Sequence, residues 1–142
     1  MKAMTTDEFK AFMLGTARTG KLATVREDGR PHVAPIWFDM DGDVIVFTTW
    51  ETTVKGKNIL RDGRVSLCVD DDKPPFAYAI VEGLAEIAAP TPEEFLHWAT
   101  RIAGRYMGAE LAESYGKRNA VLGELLIRLT PTRINAQKGI SD

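Results

Sequence analysis

Two Asp-Gly steps, Asp28-Gly29 and Asp41-Gly42, each fall between β-prone runs, and they limit the possible folds more than any other feature of the chain. Glycine after aspartate supplies the positive φ that a tight reversal needs, so residues 21–26 and 31–38 read as a hairpin. The turn at Asp41-Gly42-Asp43 then leads into a third strand at 44–49, the most β-prone run present. Three strands in meander order are thereby expected. Strand patterns resume at 65–69, at 76–87 with a bend or bulge at Gly83, and at 125–134 with Pro131 near the edge.

Helical signals lie outside these runs. Thr5 and Glu8 have the spacing of a capping box ahead of Phe9, Phe12 and Met13, which predicts a helix to about Ala17. Residues 50–64 lack alternation and read as a loop leading into a short helix that contains Asn58, Ile59 and Leu60. Thr91, Pro92 and Glu94 open the clearest helix, whose apolar stripe is Phe95, Trp98, Ala99, Ile102 and Tyr106, and a further helical segment is expected over 109–121. The total is about six antiparallel strands with helices gathered at the start and late in the chain. Without strand-helix alternation, this predicts a mainly β fold with peripheral helices, an antiparallel barrel rather than a parallel α/β sheet. Residues 44–47 and 67–69 are apolar on both faces, whereas a small barrel has one inside, so a second copy of the chain is the simplest cover. At 142 residues and 44% hydrophobic content, one domain over 1–142 is expected.

Several chemistries are disfavoured. The net charge of -2 comes from interspersed acids and bases, which gives no single-signed field for nucleic acid or anionic membrane. The lone Cys68 permits no intrachain disulfide and suits a cytoplasmic location, and no apolar run approaches the ~20 residues of a membrane span. No glycine-rich dinucleotide fingerprint and no Gly-Lys-Ser or Gly-Lys-Thr loop occurs. Two histidines, His32 and His97, cannot form a multi-histidine metal site within one chain, and Ser66, Ser114 and Ser141 lack the setting of a nucleophile. What stands out is Thr48, Thr49, Thr52 and Thr53 followed by Lys55-Gly56-Lys57-Asn58, where hydroxyls, ammonium groups and backbone amides gather at a helix start. Phosphate oxygens favour such a place, although two lysines on an exposed short helix are also compatible with simple solvation.

Residues 20–25 (Gly-Lys-Leu-Ala-Thr-Val), 28–33 (Asp-Gly-Arg-Pro-His-Val), 55–62 (Lys-Gly-Lys-Asn-Ile-Leu-Arg-Asp) and 64–67 (Arg-Val-Ser-Leu) resemble, in this order, the pyridoxamine 5'-phosphate oxidase-like split-barrel superfamily. Within it the chain looks most like the flavin and deazaflavin oxidoreductases that use coenzyme F420. The resemblance implies an FMN-binding split β-barrel, a homodimer and a cofactor in the groove between subunits. It implies that Lys55 and Lys57 hold the cofactor phosphate with Asn58 supporting the turn. Ala34, Pro35, Ile36 and Trp37, with Thr48 and Thr49, would line the ring, and Phe76 and Tyr78 match the position where the partner subunit approaches. Thr53 departs from relatives that carry a further basic residue there, and the chain lacks the tryptophan-rich C-terminal substrate segment of true pyridoxamine phosphate oxidases. The implied activity is hydride transfer from reduced F420 to a conjugated or quinone-like small molecule, with no single catalytic residue assigned. An FMN-dependent oxidoreductase, or a non-catalytic protein holding a flavin-like or tetrapyrrole ligand, are the alternatives.

Overall fold

A computed structural model describes residues 1–142. In chain order it comprises β1 (Lys2–Ala3), α1 (Thr6–Leu14), β2 (Gly20–Val25), β3 (Pro31–Ile36), β4 (Asp39–Asp41), β5 (Val44–Trp50), α2 (Val54–Arg61), β6 (Arg64–Asp71), β7 (Ala77–Ile87), α3 (Pro92–Met107), α4 (Ala112–Asn119) and β8 (Glu124–Lys138). Every strand pairing is antiparallel, in the order β3-β2-β6-β7-β8-β5-β4, with β1 added to the end of β8. The mainly β architecture with peripheral helices, a split barrel, is the one expected. β8 is the hinge of the sheet: Glu124 to Leu129 pair with β5, and from Ile127 to Lys138 the strand also runs along β7.

Local signals act as their residue types dictate. Gly29 adopts φ 89° in the β2–β3 turn, where its N–H donates to the Arg26 carbonyl at 2.9 Å. In α1 both halves of the capping box form, Glu8 N–H to Thr5 Oγ1 at 3.2 Å and Thr5 N–H to Glu8 Oε1 at 3.0 Å. At α3 only the forward half forms, since the Glu94 carboxylate accepts from the Thr91 hydroxyl instead of the backbone. The bulge expected at Gly83 is present. The register moves from Glu82↔Arg133 to Gly83↔Pro131, leaving Thr132 of β8 as the extra residue. A side chain at Gly83 would collide with the Thr130 carbonyl, so the two backbones approach closely only because this residue has none.

Some boundaries differ from the expectation. There are eight strands rather than about six, because β1 and β4 are too short to show a period of two. What read as one strand over 31–38 ends at Ile36, and the chain resumes as β4 after a break at Trp37 and Phe38. α1 stops at Leu14. β7 begins at Ala77 instead of Phe76, whose φ of 61° no strand accommodates. β8 runs past Ile134 to Lys138 because β7 and β1 continue to pair with it.

Phe38, Phe47, Leu22, Leu67, Ile127 and Leu129 are fully buried between the sheet faces and α1, in one cluster with Phe9 and Met13. Each side chain of this size contributes about 1.5–3 kcal/mol through burial. The second apolar face of β5 corrects one expectation. Val46 is 0% exposed on the face opposite Ile45 and Phe47, and the helix packed across β5 and β4 is α3 of the same chain. No second copy is needed there. On β6, Val65, Leu67 and Val69 are buried while Ser66 and Cys68 are only half-buried, which is ordinary alternation.

Candidate cofactor-binding site

β5 ends at Trp50, and three residues later Thr53 starts α2. Thr53 is spent on the backbone: its Oγ1 accepts from Gly56 N–H at 3.1 Å, lies 2.7 Å from the Trp50 carbonyl as donor, and meets Thr49 Oγ1 at 2.9 Å. This residue, read as the place of a missing base, is the N-cap. It satisfies the third N–H of the helix and leaves those of Val54 and Lys55 without intrahelical partners. Lys55 is thus beside the positive end of the α2 dipole. Gly56 is required for this geometry, because a Cβ there would stand 2.5 Å from the Trp50 carbonyl oxygen and 3.0 Å from Thr53 Oγ1.

The start of α2 faces a cavity of about 440 Å³, within the usual range for small-molecule sites. Pro35, Ile36 and Trp37 form one side, Thr48, Thr49 and Trp50 another, and α3 and α4 close it with Ala99, Ile102 and Asn119. Lys55 and Glu124 are its only ionisable wall residues. Trp37 is held in place: its ring stacks on Tyr106 with centroids 5.0 Å apart and planes 1° from parallel. The Tyr106 hydroxyl is fixed in turn, donating to the Arg18 carbonyl at 2.8 Å and accepting from Phe38 N–H at 3.3 Å. Arg105 adds hydrogen bonds to the Phe38 and Met13 carbonyls, so the end of α3 is tied to the break between β3 and β4.

Both charged side chains are half-buried. Burial lowers the Lys55 pKa, and the negative Glu124 pulls it part of the way back. Burial raises Glu124 to about 6, which Lys55 partly offsets. Glu124 Oε2 is enclosed and takes no hydrogen bond. A positive charge at a helix start, an aromatic plane and a row of threonine hydroxyls suit an anionic ligand with a planar end. Phosphorylated flavin or deazaflavin fits these residues. No three His, Cys, Asp or Glu side chains converge as a metal site.

Of the residues expected to bind cofactor, the structure brings together Pro35, Ile36, Trp37, Thr48, Thr49 and Lys55. Lys57 lies elsewhere, lining a separate depression with Arg26, Arg30 and Arg61. The expected two-lysine clamp is therefore divided, because residues two apart on a helix point about 200° apart. Asn58 is buried, donating to Thr24 Oγ1 at 2.9 Å and accepting from Arg61 at 3.3 Å, so it ties α2 to β2. Ala34 is half-buried opposite Leu22 in the β2–β3 ladder and does not line the cavity. Phe76 stands in the β6–β7 turn and Tyr78 within β7, paired with Asp70 and Gln137, and neither lines the cavity of its own chain. His32 is half-buried opposite Thr24 and also outside it. Trp50, Asn119 and Glu124 were not foreseen. Glu124 follows a glycine at the head of a strand and carries no spacing signal, while Ala99 and Ile102 were legible only as a core stripe.

Comparison with known proteins agrees with this fold. A family profile described as pyridoxamine 5'-phosphate oxidase matches residues 5–138. An F420 reductase is 31% identical, with 87% of this chain and 94% of that chain aligned at a TM-score of 0.67. A conserved hypothetical protein from Mycobacterium tuberculosis is 26% identical over 97% of this chain and 87% of that one, with a TM-score of 0.82. The haem storage protein HutZ from Vibrio cholerae, 18% identical over 96% of this chain and 98% of that one at a TM-score of 0.74, shares the fold. With the family profile spanning nearly the whole chain and the split-barrel topology in place, this protein belongs to the pyridoxamine 5'-phosphate oxidase-like family.

Proposed function

We propose that the chain is an oxidoreductase that transfers hydride from reduced F420 to a conjugated or quinone-like small molecule. The observation that carries this reading is that Lys55, at the start of α2, and the stacked Trp37 face the same 440 Å³ cavity. The 31% identity to an F420 reductase supports F420 over other members of the flavin group. Lys55 would hold the cofactor phosphate, helped by the N–H groups of Val54 and Lys55, and Thr48 and Thr49 would offer hydroxyls toward the ring. Trp37 would fix the plane against which the ring lies. Reduced F420 supplies a hydride from its ring carbon, so the protein must mainly position two planar molecules and limit access of water. A proton for the reduced product can come from water or from a wall residue.

A homodimer is part of this reading. Phe76 is 38% exposed and held at positive φ, and Val33 on β3 is 63% exposed. Both are apolar groups that a second copy would cover, and Phe76 could reach a cofactor only from a partner subunit. Cytoplasmic residence is part of the same reading; no helix is long and apolar enough to cross a membrane. The second reading is FMN in the same cavity, favoured by the family profile and by the fit of any phosphorylated isoalloxazine to Lys55 and Trp37.

Fluorescence titration with F420 and FMN, followed by turnover of reduced F420 against a panel of activated alkenes and quinones, tests both. Saturable F420 binding with oxidation by at least one acceptor is the expected result. A yellow preparation that releases FMN on denaturation would move the assignment to FMN. Tight binding without turnover would make the protein a carrier, and no binding of either cofactor would remove the proposal.

A further inference from the structure

Phe76 is the one non-glycine residue of the chain held at positive φ, a region that suits glycine and disfavours a bulky side chain. A turn that only had to reverse the chain would take glycine or asparagine there, so the ring itself is what this turn is built to present. That ring is 38% exposed and does not line the cavity of its own chain.

A strained residue keeps its pose only where its surroundings over-determine it, and here three backbone hydrogen bonds do so. Phe76 N–H donates to the Lys73 carbonyl at 2.8 Å, which closes the turn from within. The chain beyond β8 then runs on along the turn, where Ile140 N–H donates to the Phe76 carbonyl at 3.2 Å and Ser141 N–H to the Pro75 carbonyl at 3.1 Å. Gly139, at φ 59°, bends the chain between Lys138, the last partner of Ala77, and these two donors. Residues 139–142 do not line the cavity either, so they can act on a ligand there only through the turn that they hold.

We propose that residues 139–142 are a clasp that fixes the Phe76 ring in the pose needed to cover the cavity of a second copy of the chain. A planar ligand that lies on Trp37 has a second face, and an aromatic ring is a fitting cover for it. Ile140 and Ser141 are then positioning residues for a site in the other subunit. The clasp rests on the reading of the chain as a cofactor-binding homodimer, but not on which of the two cofactors is bound.

The test titrates F420 and FMN, by fluorescence, into the parent, Phe76→Ala, a chain shortened to end at Lys138, and a chain with both changes. Each single change should weaken binding by roughly tenfold, the worth of one well-placed aromatic contact. Together they should weaken it no further, because the clasp acts only through the ring. Ile140→Pro, which removes the N–H bonded to Phe76, should follow the shortened chain. Action across the interface is read by refolding shortened chains with an equal amount of Lys55→Ala chains. In a mixed dimer one cavity has both its own Lys55 and an intact clasp opposite, so about a quarter of all sites should regain parent affinity, and neither variant alone should show any. Parent affinity in the shortened chain, losses that add in the combined variant, or a mixture that regains nothing would each overturn the clasp and leave the function standing. A parent that sediments as a monomer, or that binds neither cofactor, would remove the clasp together with the reading beneath it.

Discussion

Lys55 and Lys57 stand two residues apart on the same short helix and have different surroundings. Lys55 faces a cavity of about 440 Å³ with one carboxylate and two tryptophans, and burial depresses its pKa. Lys57 faces a depression of about 420 Å³ whose wall is almost entirely charged or polar. Of the three other cations on that side, Arg26, Arg30 and Arg61, two are already engaged: Arg30 pairs with Asp28 at 2.8 Å, and Arg61 donates to the Val25 carbonyl and to Asn58. The contrast teaches that a cluster in sequence is not a cluster in space. A helix separates neighbouring charges onto different faces, and only the face turned to the cavity lined by β3, β5 and α3 has an apolar wall to strip water from a ligand.

The most severe way to break this contrast is to remove the turn that creates it. Gly56→Val would force a side chain into the Trp50 carbonyl, which stands 2.5 Å from the position of its Cβ and belongs to backbone that cannot swing aside. Overpacking of this kind should cost about 3 kcal/mol, read as a lower midpoint in urea denaturation. Cofactor binding should be lost along with it. An unchanged midpoint would mean that the start of α2 is not held as described.

Next in size is the direct comparison of the two lysines. Lys55→Ala should weaken F420 or FMN by roughly ten- to a hundredfold, the worth of a charge-assisted hydrogen bond to phosphate. Lys57→Ala should change it by less than about threefold, the effect of one screened surface charge. Equal losses in a titration would restore the two-lysine clamp and refute the division seen here.

These comparisons mark where the sequence was readable. Asp28-Gly29 and Asp41-Gly42 foretold the meander because only a few residues accept a tight reversal, and Thr5 and Thr91 located two helices because caps have local chemistry. Gly83 announced its bulge for the same reason. β4 was hidden, since three residues carry no period, and α3 over Val46 was hidden because the partner of an apolar face is a tertiary fact. In the site, Trp37, Thr48, Thr49 and Lys55 were legible through resemblance. Glu124 was not, because nothing near it in the chain records that it lies beside a residue 69 positions away (124 minus 55).

A smaller effect should sharpen the contrast from the side of the cap. Thr53→Val keeps the shape of the residue while removing three hydrogen bonds, those to Gly56, Trp50 and Thr49. The loss should be about 1–2 kcal/mol by denaturation, as for other helix N-caps. Ligand affinity should fall further than for Lys57→Ala, because Thr53 orients the helix end that presents Lys55. Thr53→Ser, which can make the same bonds, should restore most of both.

The smallest effect concerns pH, and its sign follows from Glu124. Burial lifts its pKa from 4.5 to about 6, so between those values the folded chain holds a proton that the unfolded chain has released. More protons bound to the folded state means that this residue's contribution to stability falls as pH rises through that window. Above it the carboxylate is charged in a place that disfavours charge. Glu124→Gln removes the slope and should leave the variant closer to the parent in acid than at neutral pH. The side chain is half exposed and screened, so the change should stay under about 1 kcal/mol. The slope of the denaturation midpoint across the window is therefore the better readout than the midpoint at one pH. Glu27→Gln, in the depression that holds Lys57, removes the same charge from an exposed residue and serves as the control. A slope that survives Glu124→Gln would place the unusual carboxylate elsewhere and take from the Lys55 side the electrostatic feature that most distinguishes it.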